Sequence, residues 1–212
     1  RCFNATSVGE SMKVWLLTLS LLSSFAWAKE DSFLPATFSS DFEQIQKSAL
    51  SGKEKKSQGH IEYKYPSHIR FEVQKPDVII FVSNPEMTWY YTAPFVQGEP
   101  GEVTVRPTGK LALAKFFDAL KKGLVSNGLY TVSDKADKVE LEFNKKSQKE
   151  LGITKALLNL GGKKDFASLK SIELEKSDKA KVLLNFSNMK MGAEIKKERF
   201  IFVAPPNTRS AQ

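Results

Sequence analysis

The stretch Gly-His-Ile-Glu-Tyr-Lys-Tyr-Pro-Ser-His-Ile-Arg-Phe-Glu-Val-Gln, residues 59–74, alternates apolar and polar side chains on both sides of Pro66-Ser67. Its apolar positions are Ile61, Tyr63, Tyr65, Ile69, Phe71 and Val73. A period of two is typical of a half-buried β-strand, and two such runs around a short turn predict a hairpin. The stretch therefore predicts a protein built mainly on an antiparallel sheet.

Other segments extend this prediction along the chain. Apolar or alternating runs that predict further strands occupy residues 78–82, 87–92, 139–143, 172–174, 182–186 and 200–202. Short polar connections, such as residues 176–179, favour hairpins over crossovers. An antiparallel sheet can leave one face in water, but its other face needs a cover.

Two later segments carry a helical spacing of apolar residues. Residues 109–123 predict an amphipathic helix that ends at Gly123. Its apolar residues, at spacings of three and four, are Leu113, Phe116, Phe117 and Leu120. Residues 151–160 predict a second short helix before Gly161-Gly162. Both helices would be apolar on one side.

Two segments nearer the start of the chain are less regular. Residues 38–45 fit a helical stripe and a strand equally well, and periodicity alone leaves both open. The charged run 51–58 predicts a mobile hairpin loop.

Residues 1–28 have the pattern of an upstream extension followed by a secretory signal peptide. Lys13 precedes an apolar run, residues 14–25, and Ala26-Trp27-Ala28 forms a small-x-small cleavage site. The apolar run is shorter than the roughly 20 residues that cross a bilayer. We therefore expect cleavage after Ala28 and export of residues 29–212 as a single soluble domain, without disulfides because cysteine occurs only at position 2.

The chain is basic, with 32 lysines and arginines against 24 acidic residues and a net charge of +8. Such a charge could favour anionic membrane surfaces or acidic partners. The lysines are nevertheless spread along the chain with acidic residues between them, which favours an ordinary solvated sheet face. Binding to nucleic acid would conflict with export.

Residues that could support catalysis are scarce. The chain has two histidines, His60 and His68, and no Gly-x-Ser-x-Gly motif. We place both histidines at outward or turn positions, where no metal-ligating partners are predicted. The sequence therefore predicts a protein that is not an enzyme and that uses no metal or cofactor.

The aromatic content is high for a sheet with so few helices to cover it. This composition fits an apolar cavity on the inner face, and it fits an ordinary packed core equally well. The pattern alone leaves both alternatives open.

Four landmarks, in this order, resemble the family of LolA-type outer-membrane lipoprotein carrier proteins. They are Phe38-x3-Phe42-x-Gln44; Gln58-Gly59 leading to Pro66-x2-Ile69-Arg70-Phe71; Trp89-x-Tyr91-x2-Pro94-x2-Gln97; and Phe200-x-Phe202-x2-Pro205-Pro206. Each is weak alone, but together they span nearly the whole predicted domain.

The resemblance implies an incomplete barrel, in which a strongly curved antiparallel sheet is covered on its concave face by short helices that act as a lid. It also implies that Phe38-x3-Phe42 belongs to the first strand. Acyl chains would bind in a cavity between sheet and lid. The cavity residues expected from this reasoning are Ile61, Tyr63, Ile69, Phe71, Ile80, Trp89, Tyr91, Leu113, Phe116, Phe117 and Leu120.

The sequence also departs from the family. Members usually have an arginine immediately before the proline matched here by Pro66, where it ties sheet to lid, and this chain has Tyr65. A tryptophan common at the position of Phe71 is also replaced. We therefore expect a divergent member whose lid is held differently.

The function implied by the resemblance is carriage of lipoproteins through a Gram-negative periplasm by a monomeric chaperone. Its implied partners are lipoprotein acyl chains, an inner-membrane ABC-type transporter that releases lipoproteins, and an outer-membrane acceptor. Two alternatives remain open at this point: a related lipid-binding or envelope-stress-sensing module, and a β-rich periplasmic hydrolase.

Overall fold

A computed structural model describes residues 32–48, 51–107 and 112–211. The predicted extension and signal peptide, residues 1–28, lie outside these ranges. Neither helix of the described part is long and apolar enough to span a membrane.

The strands are β1 Thr37–Lys47, β2 Glu54–Lys64, β3 His68–Lys75, β4 Ile79–Ser83, β5 Met87–Thr92, β6 Gly101–Pro107, β7 Tyr130–Lys135, β8 Lys138–Phe143, β9 Ile153–Asn159, β10 Ser171–Lys176, β11 Lys181–Met191 and β12 Thr208–Ser210. The helices are α1 Ala112–Leu120 and α2 Lys145–Leu151, and short 3₁₀ turns occupy Phe166–Ser168 and Lys197–Phe200.

All twelve strands in the described residues belong to one sheet, in the order β12-β6-β5-β4-β3-β2-β1-β11-β10-β9-β8-β7. On one side of β1, strands β2 to β6 follow each other in chain order. On its other side, the order runs backwards along the chain, from β11 to β7. Every neighbouring pair is antiparallel except β12 and β6. The curved sheet is unclosed, since β12 and β7 end it at opposite edges. The predicted class, a mainly β incomplete barrel, is confirmed.

The main core lies on the face of the sheet that α1 covers, which we call the concave face. Side chains on this face belong to alternate residues of β1 to β3 and of β8 to β11, as the period of a strand requires. Phe38 and Phe42 lie here on β1, where their partners across the ladder are Tyr63 and Gly59 of β2. The segment that periodicity left open, 38–45, is therefore a strand.

A second, smaller apolar cluster lies on the opposite, convex face of β4 to β6. Val82, Tyr91 and Val103 pack there against Phe200 and Phe202 of the C-terminal segment. The rings of Tyr91 and Phe202 lie 5.2 Å apart. The C-terminal segment therefore seals the side of the sheet that α1 does not reach.

Gly59 lets the backbone and an aromatic ring approach closely at the centre of β2. A Cβ at this position would lie 1.9 Å from the carbonyl oxygen of Glu72 and 2.7 Å from Cζ of Phe42. The ring of Phe42 stacks on Phe71 at 4.2 Å. A side chain at position 59 would displace these groups, which is why glycine is needed inside this strand.

The second predicted helix is wrong: residues 153–159 of that segment form β9, and only Leu151 is helical. Ala156, Leu158 and Leu160 alternate into the core, and Leu157 points away. Ile153, Leu157 and Leu160 have the spacing of one helix face, which is why the sequence predicted a helix. In the structure, the backbone of this segment instead pairs with β8 on one side and β10 on the other. Tertiary pairing overrides local periodicity here.

The real second helix, α2, begins six residues earlier than predicted. The Asn144 side chain caps it by accepting a hydrogen bond from the Ser147 N–H at 2.9 Å. Gly152 ends it with a positive φ of 65°. Its sequence has no apolar stripe, since only Ser147 and Leu151 are buried, and periodicity therefore misses it.

Two further expectations need correction, and two strands were not predicted. Residues 200–202 are not a strand; Phe200 ends a 3₁₀ turn, and β12 follows later. The predicted loop 51–58 is strand from Glu54 onward, because the β1–β2 ladder continues to the pair Lys47 and Glu54. Strands β6 and β7 were not predicted, although Val103 and Val105 of β6 and Tyr130 and Val132 of β7 alternate with polar residues.

Candidate functional site

Helix α1 covers the concave face with a solid apolar side. Phe116, Phe117 and Leu120 are fully buried. The Phe117 ring lies 5.2 Å from that of Phe38 and 5.4 Å from that of Tyr63, in tilted and edge contacts typical of packed aromatic pairs. The amphipathic helix predicted from the sequence therefore packs against the sheet over Ala112–Leu120. Residues 109–111 of the prediction lie outside the described ranges, and residues 121–123 are not helical.

A carboxylate on α1 ties the helix to the β2–β3 hairpin. The Tyr63 hydroxyl donates a hydrogen bond to Oδ1 of Asp118. The Ser67 N–H donates to the same oxygen at 3.0 Å, and the Ser67 hydroxyl donates to Oδ2 at 2.5 Å. Lys121 lies 5.3 Å from the ring centre of Tyr65, a cation–π contact. These contacts fasten α1 and the residue that follows it to the β2–β3 hairpin.

This tie should make stability fall at alkaline pH. Burial, reinforced by the hydrogen bond to Asp118, raises the pKa of Tyr63 above its ordinary value of 10.0. Because folding favours the neutral phenol of Tyr63, its contribution to stability is complete below pH 10 and is lost as the pH rises further. We expect Tyr63→Phe to flatten the decline above pH 10 by up to about 1.4 kcal/mol per pH unit. Urea unfolding of both proteins from pH 9 to 11 measures this, and equal slopes would contradict it.

An apolar pocket of about 210 Å³ lies between the concave face and the two helices. We call it the apolar pocket. Its walls are Gln44, Gln46, Phe71, Ala112, Leu113, Leu151, Gly152, Ile153, Leu174, Lys176, Val182 and Leu184. Most of these groups are aliphatic or aromatic, so the pocket fits hydrocarbon better than a polar solute.

The structure gathers most of the predicted cavity residues around α1. Residues in or packed against the main core are Ile61, Tyr63, Ile69, Phe71, Leu113, Phe116, Phe117 and Leu120. Of these, Phe71 and Leu113 line the apolar pocket. The other six fill the interface between helix and sheet.

Ile80, Trp89 and Tyr91 do not face α1 as predicted. In the ladder, Phe71 pairs with Phe81 and Phe81 with Tyr90, so these three side chains share the concave face. Ile80, Trp89 and Tyr91 alternate with them and pack in the convex cluster. Strands β4 and β5 are apolar on both faces, so their pattern does not show which face turns inward.

Several residues of the site were missed by the sequence reasoning. Pocket walls that were not predicted include Gln44, Gln46, Leu174, Val182 and Leu184. Their strands were recognised, and Gln44 pairs with Leu184. The available signal was the shared face: each of these residues is an even number of positions from a core residue on its own strand.

Each histidine has one hydrogen-bonding partner at Nδ1, which is Asp41 for His60 and the carbonyl oxygen of Pro66 for His68. Nδ1 of His60 lies 2.7 Å from Oδ1 of Asp41 on the sheet surface. Hydrogen bonds from Asn188 and His60 lower the pKa of Asp41. The part of the chain that the structure describes contains no group of three or more His, Cys, Asp or Glu that could hold a metal ion.

The described residues form an unclosed β-sheet with a helix tied over its concave face and an apolar pocket beneath that helix, an arrangement suited to holding an apolar ligand. The family model for the outer membrane lipoprotein carrier protein LolA matches residues 35–203. The chain therefore belongs to the LolA family. A search of curated proteins finds no significant match.

Solved structures with a related arrangement are distant. A LolA superfamily protein from Nitrosomonas europaea is 13% identical, with a TM-score of 0.44 over 79% of this chain and 91% of the other. A DUF1329 family protein from Desulfovibrio piger is 9% identical, with a TM-score of 0.37 over 79% and 90%. A domain described as an outer membrane lipoprotein-sorting protein, from Vibrio parahaemolyticus, is 10% identical, with a TM-score of 0.35 over 78% and 89%.

Proposed function

We propose that residues 29–212 form a single-domain periplasmic carrier that binds the acyl chains of lipoproteins and moves them from the inner to the outer membrane. Membership of the LolA family, a family of lipoprotein carriers, supports this proposal. The observation that carries it is the apolar pocket beneath α1, bounded on one side by the sheet and on the other by Leu113 and Leu151.

The size of the pocket indicates how binding would proceed. Its volume of about 210 Å³ is smaller than the roughly 300–1,000 Å³ of typical ligand sites. Phe116 and Phe117 of α1 are fully buried in the main core on the same face of the sheet. A long acyl chain would therefore enter by displacing α1, exchanging helix-to-sheet contacts for lipid-to-sheet contacts.

Such an exchange suits a carrier. An acyl chain of about 16 carbons exposed to water costs on the order of 12 kcal/mol, at ~0.8 kcal/mol per methylene, so free diffusion of a lipoprotein is negligible. Because α1 refills the face that the lipid leaves, loading and release can stay close to balanced without hydrolysis by the carrier. We propose no catalytic role for this protein.

The proposed route needs two partners and no cofactor. An inner-membrane ABC-type transporter would load the monomeric carrier, and an outer-membrane acceptor with a more favourable pocket would receive the cargo. The family assignment supports these partners by analogy.

The direct test is binding of a synthetic triacylated lipopeptide, followed by native mass spectrometry, with the unacylated peptide as negative control. We expect Leu174→Gln, which makes one pocket wall polar, to weaken binding about tenfold, as loss of contact with about two methylenes would. Val105→Gln is the matched control, because Val105 is 45% exposed on the convex face. Equal affinity of acylated and unacylated peptide would refute the proposal.

The transport step needs a second test in cells. Depletion of the protein should leave lipoproteins in the inner membrane, which fractionation would reveal. A lipid-binding or stress-sensing module would bind the lipopeptide in vitro, yet its depletion would not mislocalise lipoproteins.

A further inference from the structure

The concave face changes polarity along its strands. On β1, inward side chains run from Phe38 and Phe42 to Gln44 and Gln46. The neighbouring inward positions of β2 run from Tyr63 through Ser57 to Lys55, and Gln46 pairs with both Lys55 and Val182. Inward residues are two apart, about 7 Å along a strand. The face therefore passes from aromatic to amide to cationic within a few residues.

At the cationic end lies a second cavity, of about 300 Å³, between the β1–β2 and β10–β11 hairpins. Its lining residues are Gln46, Lys47, Ser48, Lys53, Glu54, Lys55, Lys176, Ala180, Lys181 and Val182. Gln46, Lys176 and Val182 also line the apolar pocket. The two cavities therefore share a wall, with hydrocarbon surroundings on one side and lysines on the other.

Only part of this positive charge is neutralised. Lys47 lies 3.9 Å from Glu54, and Lys181 lies 2.8 Å from Glu173. Within residues 32–48, 51–107 and 112–211, no carboxylate lies within ion-pair distance of the other three lysines. These are Lys53, Lys55 and Lys176, which we call the basic rim. All three are exposed, so their ammonium groups stay hydrated and can meet an anion at little desolvation cost.

We propose that one ligand occupies both cavities: an anionic acyl lipid, with its chain in the apolar pocket and its phosphate headgroup at the basic rim. Lysine ammonium groups bind phosphate as point charges. The acyl half of this proposal rests on the proposed function, whereas the headgroup half is independent of it. The acylated cysteine of a lipoprotein has no anionic group, so the basic rim indicates a phospholipid as an additional or accompanying ligand.

The position of the basic rim favours a single bound lipid over contact with a bilayer surface. Lys55 lies at an inward position of β2, in register with Gln46, and Lys176 forms part of the apolar pocket itself. A surface that only docked on a membrane would not need its charges to share a wall with a hydrocarbon pocket.

The test uses soluble lipids that differ in net charge. Dihexanoyl-phosphatidylglycerol is anionic and dihexanoyl-phosphatidylcholine is zwitterionic, and both are used below their critical micelle concentrations. By isothermal titration calorimetry at low salt, we expect the anionic lipid to bind about tenfold tighter, since charge-assisted contacts exceed neutral ones and are weakened by screening. Inorganic phosphate that bound as tightly as the anionic lipid would overturn the proposal, because the acyl chain would then contribute nothing.

Two matched double variants locate the effect. Lys55→Gln with Lys176→Gln removes charge from the basic rim. Lys135→Gln with Lys138→Gln removes the same charge at the opposite end of the strands. Lys138 pairs with Asn159, which pairs with Ser171 at the start of β10, whereas Lys176 lies at the end of β10. We expect the preference for the anionic lipid to vanish in the first variant and to persist in the second. Its persistence in both would refute the headgroup site.

The remaining outcomes distinguish the headgroup site from the carrier proposal and from simple contact with a bilayer. Equal binding of both lipids to the wild-type protein would overturn the headgroup site and leave the carrier proposal standing. Binding of neither lipid would count against both. In the last outcome, the rim variant stops sedimenting with phosphatidylglycerol vesicles while it keeps the preference for the soluble anionic lipid. That result would overturn the headgroup site and show a contact with the bilayer surface instead.

Discussion

Phe117→Ala is expected to lower the free energy of unfolding by about 3–5 kcal/mol and, at the same time, to strengthen acyl-chain binding. Phe117 is fully buried against Phe38 and Tyr63, so truncation leaves a cavity between α1 and the sheet. If α1 and the acyl chain compete for one face, a weaker helix contact favours the lipid. Urea unfolding and lipopeptide titration measure the two effects, and affinity that falls with stability would contradict competition.

Phe38→Ala is the matched control for this experiment. Phe38 is also an almost fully buried ring, but it belongs to the sheet, and its ring lies 4.9 Å from Phe166 and 5.4 Å from Tyr63. We expect a comparable loss of stability from its truncation. Because the lipid would use the same sheet surface as α1, affinity should not rise. Opposite responses of the two variants would separate displacement of the lid from general loosening of the core.

Phe200→Ala is expected to destabilise the protein by a similar amount, about 3–5 kcal/mol, without changing acyl-chain affinity. Phe200 is fully buried in the convex cluster, and its ring contacts that of His68 at 5.2 Å. This cluster lies on the other face of the sheet from the apolar pocket. Thermal or urea unfolding gives the stability loss, and lipopeptide titration below the unfolding transition gives the affinity.

Trp89→Ala provides a second check on the same face. The sequence alone placed Trp89 in the cavity, whereas the structure packs it against the convex cluster. A loss of acyl-chain affinity in Trp89→Ala, at temperatures where the variant is folded, would restore the original assignment. Unchanged affinity would support the corrected one.

Local patterns were reliable where one face of an element is apolar and the other polar. The alternation in residues 59–74 correctly gave β2, β3 and their turn, and the spacing of Phe116, Phe117 and Leu120 correctly gave α1. In both cases the period of the apolar residues is enough to show which face of the element packs on the core. The eight predicted site residues that lie in the main core or pack against it all come from these two segments.

Patterns failed where both faces of a segment are apolar or where pairing partners are distant. Strands β4 and β5 are covered on both sides, so their register decides that Phe81 and Tyr90 face inward. In β9, ladders to β8 and β10 decide between strand and helix. Neither the register nor the ladders are contained in the composition of the segment itself.

The sequence by itself determined a mainly β protein with one amphipathic helix, a basic charge and a resemblance to the LolA family. Only the tertiary structure decided which residues form the site. Asp118 meets Tyr63 across 55 positions of sequence, and Lys55 reaches the same cavity as Lys176 because β1 joins the two meanders. Side-chain period is a local property, whereas contacts between hairpins depend on the order of strands in the sheet.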